Sequence, residues 1–182
     1  GSISEMKYPK LLNIVNALGT ALCSLGLKAK HIAIMGKNSH KWCISYFGIT
    51  NGTGVVVPID KEPMAEDVLN ILTVSEAKAM FVDDKSYEKL QEIKDRLPQD
   101  FTFIGLDEIE GLKNIDELIK LGEELLEKGD RTFIDAEVDG NAMSSLLFTS
   151  GTTGMAKGVM LSQKNIIEDI RAIKKLVKIF FN

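Results

Sequence analysis

Apolar residues recur at helical spacing over residues 11–25 (LLNIVNALGTALCSL), where Leu11, Ile14, Val15, Leu18, Leu22 and Leu25 share one side. Gly26 stands where such a helix stops. The period then changes. HIAIMG (31–36) is a short continuous apolar run, the pattern of a strand buried on both faces. Asn38 or Ser39 can cap a helix over 39–51, with Trp42, Tyr46, Phe47 and Ile49 largely along one flank and Gly52 at its end. GVVVPID (54–60) is rich in β-branched residues and predicts a second strand, with Pro58 in its last turn or on an edge. Pro63 suits the first turn of a helix over 63–74. The alternation continues through a strand at 78–84 (KAMFVDD), a charged helix at 85–97 ending before Pro98, and a strand at 101–107 (FTFIGLD). A helix follows at 114–128, with Ile115, Leu118, Leu121, Leu125 and Leu126 on its apolar side.

Strands that alternate with helices imply parallel pairing through crossover helices. The predicted fold is therefore α/β, a mostly parallel sheet flanked by helices on both faces. Residues 129–142 (GDRTFIDAEVDGNA) are acidic and weakly periodic, a candidate linker and sub-boundary within one unit spanning 1–182. Beyond it, MSSLLF and VML predict two strands separated by a loop. Ser162 can cap a last helix to about residue 181, with Ile166, Ile167, Ile170, Ile173, Leu176, Val177 and Phe180 apolar and Lys174, Lys175 and Lys178 mostly opposite.

Composition narrows the function classes. The 182 residues fit one large domain, and 45% hydrophobic content is ample for a core. A formal charge of −4, from 22 basic and 26 acidic side chains, argues against a dedicated nucleic-acid binder. Cys23 and Cys43 form no CxxC pair and read as free thiols in a reducing cytoplasm. His31 and His40 lack metal-ligand spacing. No apolar run approaches the ~20 residues that cross a bilayer, so the expectation is no transmembrane segment and no secretory leader. Peripheral membrane contact and oligomeric state stay open.

The loop between the last two strands carries the candidate chemistry. Within LLFTSGTTGMAKGVMLS (146–162), Thr149, Ser150, Thr152 and Thr153 offer hydroxyl donors. Gly151, Gly154 and Gly158 allow backbone conformations that bring N–H groups onto an anion, and Lys157 adds a mobile positive charge. The spacing is neither that of a Walker A loop, which opens a helix, nor that of a dinucleotide-binding G-x-G-x-x-G. By composition alone, a solvated Ser/Thr/Gly loop fits equally well.

The order of residues points further. FTSGTTGMAKGV resembles the signature of the adenylate-forming superfamily, which comprises acyl-CoA synthetases, luciferases and adenylation domains. That signature is an aromatic residue, T-S-G-T-T-G, a free residue, usually proline, then K-G-V. Ala156 stands in the proline position, which relaxes the backbone before Lys157 and removes no phosphate donor. NGTGVVVPID (51–60) and the preceding NSHKW…ISYFGITNG also resemble the family. The likeness covers nearly the whole chain, strongest at 32–84 and 143–168, and FTSGTTGMAKGVMLS looks most like long-chain fatty acyl-CoA synthetases. The resemblance implies an ATP-dependent, AMP-forming ligase. A carboxylic acid would attack the α-phosphorus of ATP, and coenzyme A would then capture the acyl group. It implies that Thr149, Ser150, Gly151, Thr152, Thr153, Gly154 and Lys157 grip the β- and γ-phosphates. Thr149 would help to hold Mg2+, and Lys157 would pair with the leaving phosphates.

Other family segments do not occur in these residues: Y-G-x-T-E for adenine and metal, T-G-D for ribose, and the catalytic lysine of the mobile C-terminal domain. The expectation is an N-terminal portion of an AMP-binding domain that is inactive alone and contains no catalytic residue of its own. Two alternatives stay open: an adenylating ligase for an aryl, amino or short-chain acid, and a non-catalytic scaffold that keeps the fold.

Overall fold

A computed structural model of the chain describes residues 5–149 and 157–180. Its strands are β1 (His31–Met35), β2 (Val55–Pro58), β3 (Ala79–Val82), β4 (Thr102–Gly105), β5 (Met143–Thr149) and β6 (Lys157–Ser162). Its helices are α1 (Tyr8–Leu22), α2 (His40–Thr50), α3 (Ala65–Val74), α4 (Asp84–Leu90), α5 (Ile115–Glu127) and α6 (Gln163–Phe180). The strands form one six-stranded sheet in the order β4-β3-β1-β2-β5-β6. All neighbours pair parallel except β6, which runs antiparallel to β5. The α/β expectation from the sequence holds.

Side chains alternate across a strand, and that alternation sorts the core into two layers. Ile32, Ile34, Val56, Phe81 and Ile104 point to one face, where Leu18 and Leu22 of α1, Ile44 and Ile49 of α2, and Ile115 and Leu118 of α5 cover them. Ala33, Met35, Val57, Met80, Val82 and Phe103 point to the other, under α3 and α4 with Val68, Leu72 and Leu90. The chain steps from β1 to β2 through α2 on the first face. It moves the opposite way through α3 and α4 on the second face, then returns through α5 on the first. Reversing both direction and face keeps one handedness throughout, as parallel crossovers require.

Caps fall where the sequence offers them. The Ser39 hydroxyl accepts from the Trp42 N–H at 3.1 Å. Asn114 and Glu117 form a reciprocal capping box at the start of α5. Several expectations need correction. The helix predicted at 63–74 starts at Ala65, leaving Pro63 outside. The helix predicted at 85–97 ends at Leu90 and tightens into a 3₁₀ turn over Gln91–Arg96. Leu90 and Ile93, three residues apart, are both fully buried, a spacing that a three-residue turn aligns better than an α-turn. Phe47 does not share the buried flank of α2: it is 42% exposed, while Ile49 is inside and Trp42 stacks on Tyr46.

The α1 region is longer than expected and continues as a π-turn over Cys23–Leu27. The stretch Tyr8–Leu27 is long and apolar enough to cross a membrane by length and composition, contrary to the sequence expectation. In this fold it is a core helix, with Ala17, Leu18, Ala21 and Leu22 fully buried. Segment 129–142 is also more than a connection, because Phe133 is 3% exposed and joins the first-face core. Its ring lies over Gly19, where an added Cβ would come within 2.1 Å of it. Gly122 plays the matching part between α5 and α1, since a Cβ there would lie 1.8 Å from the Ala17 carbonyl oxygen.

Gly122→Ala tests that close approach. Elsewhere inside a helix alanine helps by about 1 kcal/mol. Here the helices must separate, and the expected result is a loss of about 1–3 kcal/mol, read as a lower urea midpoint. Glu76 presents the opposite case. It follows α3 with φ +51°, and Glu76 N–H donates to the Thr73 carbonyl and Ala77 N–H to the Leu72 carbonyl, both at 3.1 Å. This double hydrogen bond favours glycine at the left-handed position. Glu76→Gly should therefore raise stability by about 0.5–1 kcal/mol, visible as a melting temperature higher by about 1–3 °C.

Candidate functional site

The β5–β6 hairpin sets Leu146 opposite Met160, Leu147 opposite Val159, Phe148 opposite Gly158 and Thr149 opposite Lys157. Thr149 and Lys157 thus face each other at its tip, and both are exposed. Directly opposed residues have Cβ atoms about 4.5–5.5 Å apart, so a hydroxyl and an ammonium can meet one anion there. The other residues predicted for the site, Ser150, Gly151, Thr152, Thr153 and Gly154, lie outside the described residues. Gly158 departs from its expected part in the anion cradle. It sits inside β6, and a Cβ there would press to 3.1 Å from Leu146 Cδ1. Its backbone is not left-handed.

The tip occupies a defined end of the sheet. Val56 of β2 pairs in parallel with Ser145 of β5. Continuing that register brings Pro58 level with Leu147, so Phe148 and Thr149 reach beyond the end of β2. The carboxyl ends of parallel strands are where open α/β sheets bind ligands. Leu146 and Phe148 pack on the second-face core. On the other side, the Tyr46 and Ser145 hydroxyls are hydrogen-bonded at 2.9 Å. Below β6, Ser162 caps α6 through Asn165, and Gln163 Nε2 donates to the Thr50 carbonyl at 2.7 Å.

Two charged groups brace the same end. Burial alone pushes the Asp83 carboxyl up. The Ser86 hydroxyl and N–H, the Lys37 N–H and the Lys37 charge outweigh it and hold the group below the ordinary aspartate value. The two N–H bonds are each 2.9 Å long, so Asp83 ties the end of β3 to the turn after β1 and to the start of α4. Lys41 of α2 reaches Asp116 at 2.8 Å and Asp107 at 3.5 Å. Burial lowers the pKa of that ammonium, and the two carboxylates more than reverse the shift.

Among the described residues no group of three His, Cys, Asp or Glu side chains lies together as a metal cage. Thr149 offers one exposed neutral oxygen. Mg2+ accepts few protein ligands when phosphates and water complete its octahedron, so a single hydroxyl is compatible with that ion. Tyr46 was read only as a helix-flank residue, and Asp83 and Gln163 were given no part at the site. The Asp83 cap was legible in principle from D-x-x-S before a helix. The Tyr46–Ser145 pair, 99 residues apart, had no local signal.

This architecture defines a doubly wound α/β domain with a hairpin that carries Thr149 and Lys157 at the carboxyl end of its sheet. The sequence matches the AMP-binding enzyme family over residues 2–181, and the chain belongs to that family. A long-chain-fatty-acid–CoA ligase of Rattus norvegicus is 33% identical over 169 residues, covering 89% of this chain and 23% of the rat protein. The chain thus spans about a quarter of the length of the curated relatives it matches. Among solved structures, an anthranilate CoA ligase in complex with anthranoyl-AMP superposes with a TM-score of 0.75 at 24% identity, over 88% of this chain and 30% of that one. A Mycobacterium tuberculosis fatty acyl CoA synthetase gives a TM-score of 0.71 at 23% identity, over 88% and 30%. At these identities the two structures speak to the fold.

Asp83 gives a pH-dependent expectation. Its folded pKa is depressed, so its contribution is complete above the unfolded value of about 3.9 and fades as pH falls through the lower folded value. Asp83→Asn keeps only one good acceptor. It should lose about 1 kcal/mol near pH 7, and the gap to wild type should begin to close only as pH falls below about 4, as followed by urea midpoints across that range.

Proposed function

We propose that residues 1–182 form the triphosphate-gripping part of an AMP-binding domain. The whole protein would be an ATP-dependent ligase that activates a carboxylic acid as its acyl-adenylate and passes the acyl group to coenzyme A. The observation that carries this reading is the pairing of Thr149, which opens the T-S-G-T-T-G run, with Lys157, which follows it, at the carboxyl end of the sheet. Lys157 neutralises charge on the departing pyrophosphate, while the hydroxyls and N–H groups of the loop orient it. Thr149 would hold Mg2+, which supplies further neutralisation of the triphosphate when bound.

The acid is proposed to be a long-chain fatty acid. The support is the rat relative, whose name carries that substrate. The structural neighbours are named for unlike acids, one aryl and one fatty, so fold alone does not favour either. The free thiols Cys23 and Cys43 support a cytoplasmic setting. Since the chain spans 23% of the rat ligase, the 182 residues alone are proposed to bind ATP weakly and not to turn over.

Titration of the chain with MgATP should show weak binding that Lys157→Ala lowers by about 10- to 100-fold, the range for a charged hydrogen bond. Micromolar binding that survives Lys157→Ala would remove the loop as the gripping element. ATP–pyrophosphate exchange by residues 1–182 alone would overturn their proposed inactivity. In the whole protein, exchange driven by long-chain fatty acids but not by aryl acids is the expected pattern.

A further inference from the structure

The hairpin lies alongside β2 but is joined to it by a short ladder. Four positions pair across each of β1–β2, β1–β3 and β3–β4, whereas β2 and β5 share one paired position, Val56 with Ser145. At that same residue the Ser145 hydroxyl meets the Tyr46 hydroxyl at 2.9 Å. Ser145 is 2% exposed, so water does not substitute freely for its partner. Tyr46 is itself held, since its ring stacks on Trp42 at 5.7 Å within α2 and meets Phe47 edge-on. One held side chain on α2 therefore meets β5 at the single position where its ladder to β2 is in register.

From that position β5 runs four residues to Thr149, about 13 Å at strand rise. A tilt of about 5° there would move Thr149 and its partner Lys157 by about 1 Å. A misplacement of that size in a positioned catalytic group can cost about 100-fold in rate. We propose that Tyr46 is a positioning residue: through Ser145 it sets the tilt of the β5–β6 hairpin and so the placement of Thr149 and Lys157 on a bound triphosphate. The functional half of this inference rests on the nucleotide reading above. The mechanical half stands on the Tyr46–Ser145 contact itself.

The test separates positioning from simple stabilisation. Tyr46→Phe keeps the stacked ring but strands the buried Ser145 hydroxyl. Tyr46→Phe with Ser145→Ala removes both hydroxyls, leaves nothing unpaired, and should unfold near the wild-type midpoint. In the double variant, amide exchange over 146–149 and 157–161 should quicken about tenfold while β1 and β3 amides stay unchanged. Affinity for inorganic tripolyphosphate with Mg2+ should fall about tenfold. Wild-type exchange in the hairpin of the double variant overturns the inference, whatever the binding data show. If the hairpin loosens while tripolyphosphate affinity is unchanged, the mechanical half stands and the positioning role is overturned. If the wild-type chain itself fails to bind tripolyphosphate, the nucleotide reading falls instead, and exchange alone decides whether Tyr46 sets the hairpin.

Discussion

β1 cannot be wetted on either side. Ile32, Ala33, Ile34 and Met35 are all fully buried, so successive side chains on opposite faces both need cover. Much else follows from that constraint. A central strand apolar on both faces needs parallel neighbours and helices above and below, because crossovers deliver one helix per step. The helices and edge-to-edge pairing leave only the ends of the strands open. At the carboxyl ends, turns rather than elements meet solvent, and there the chain can place side chains without disturbing the core.

Much of this was legible because the signals were local. Apolar runs such as HIAIM and AMFV, the Ser39 cap and the Asn114–Glu117 capping box each lie within one element and state their own structure. The misses share a different character. Phe133 stands in an acidic, aperiodic stretch and gains its burial from Gly19, far along the chain, where the missing side chain makes room. Phe47 and Ile49 differ by two positions, and only the packed partner of α2 decides which faces inward. The 3₁₀ turn after Leu90 depends on where Leu90 and Ile93 meet α3, which no window of sequence records. At the candidate site the two strands were legible from the apolar runs MSSLLF and VML, but Thr149 and Lys157 read as loop residues and instead end β5 and open β6. Their exact opposition belongs to the ladder register.

The two attachments of the hairpin divide the labour. On the second face Leu146 and Phe148 supply apolar burial, which is strong but indifferent to small rotations. On the first face the Tyr46–Ser145 hydrogen bond contributes less free energy but has direction. Non-directional packing holds β5 against the sheet, and the directional contact selects one angle among those that packing tolerates. Gly158 belongs to the same arrangement. With no Cβ there, Leu146 and Phe148 lie 3.1 and 3.6 Å from the place one would take.

After β5 the chain returns as a strand, not as a helix, and this changes the electrostatics of the site. A strand-to-helix turn would aim a helix N-terminus at the ligand and supply its partial positive charge, about half an elementary charge fixed in place. The antiparallel return forgoes that dipole. In its place stands Lys157, a full charge on a flexible stem across from Thr149, both exposed. A fixed dipole would favour the anion at every stage. A mobile ammonium can follow charge as it shifts toward a departing group, and catalysis rewards interactions that strengthen in the transition state. Mobility also makes the charge easy to screen and slow to order, so its backbone must already be in place. The directional anchor at Ser145 meets that need at the single position where the ladder to β2 is in register.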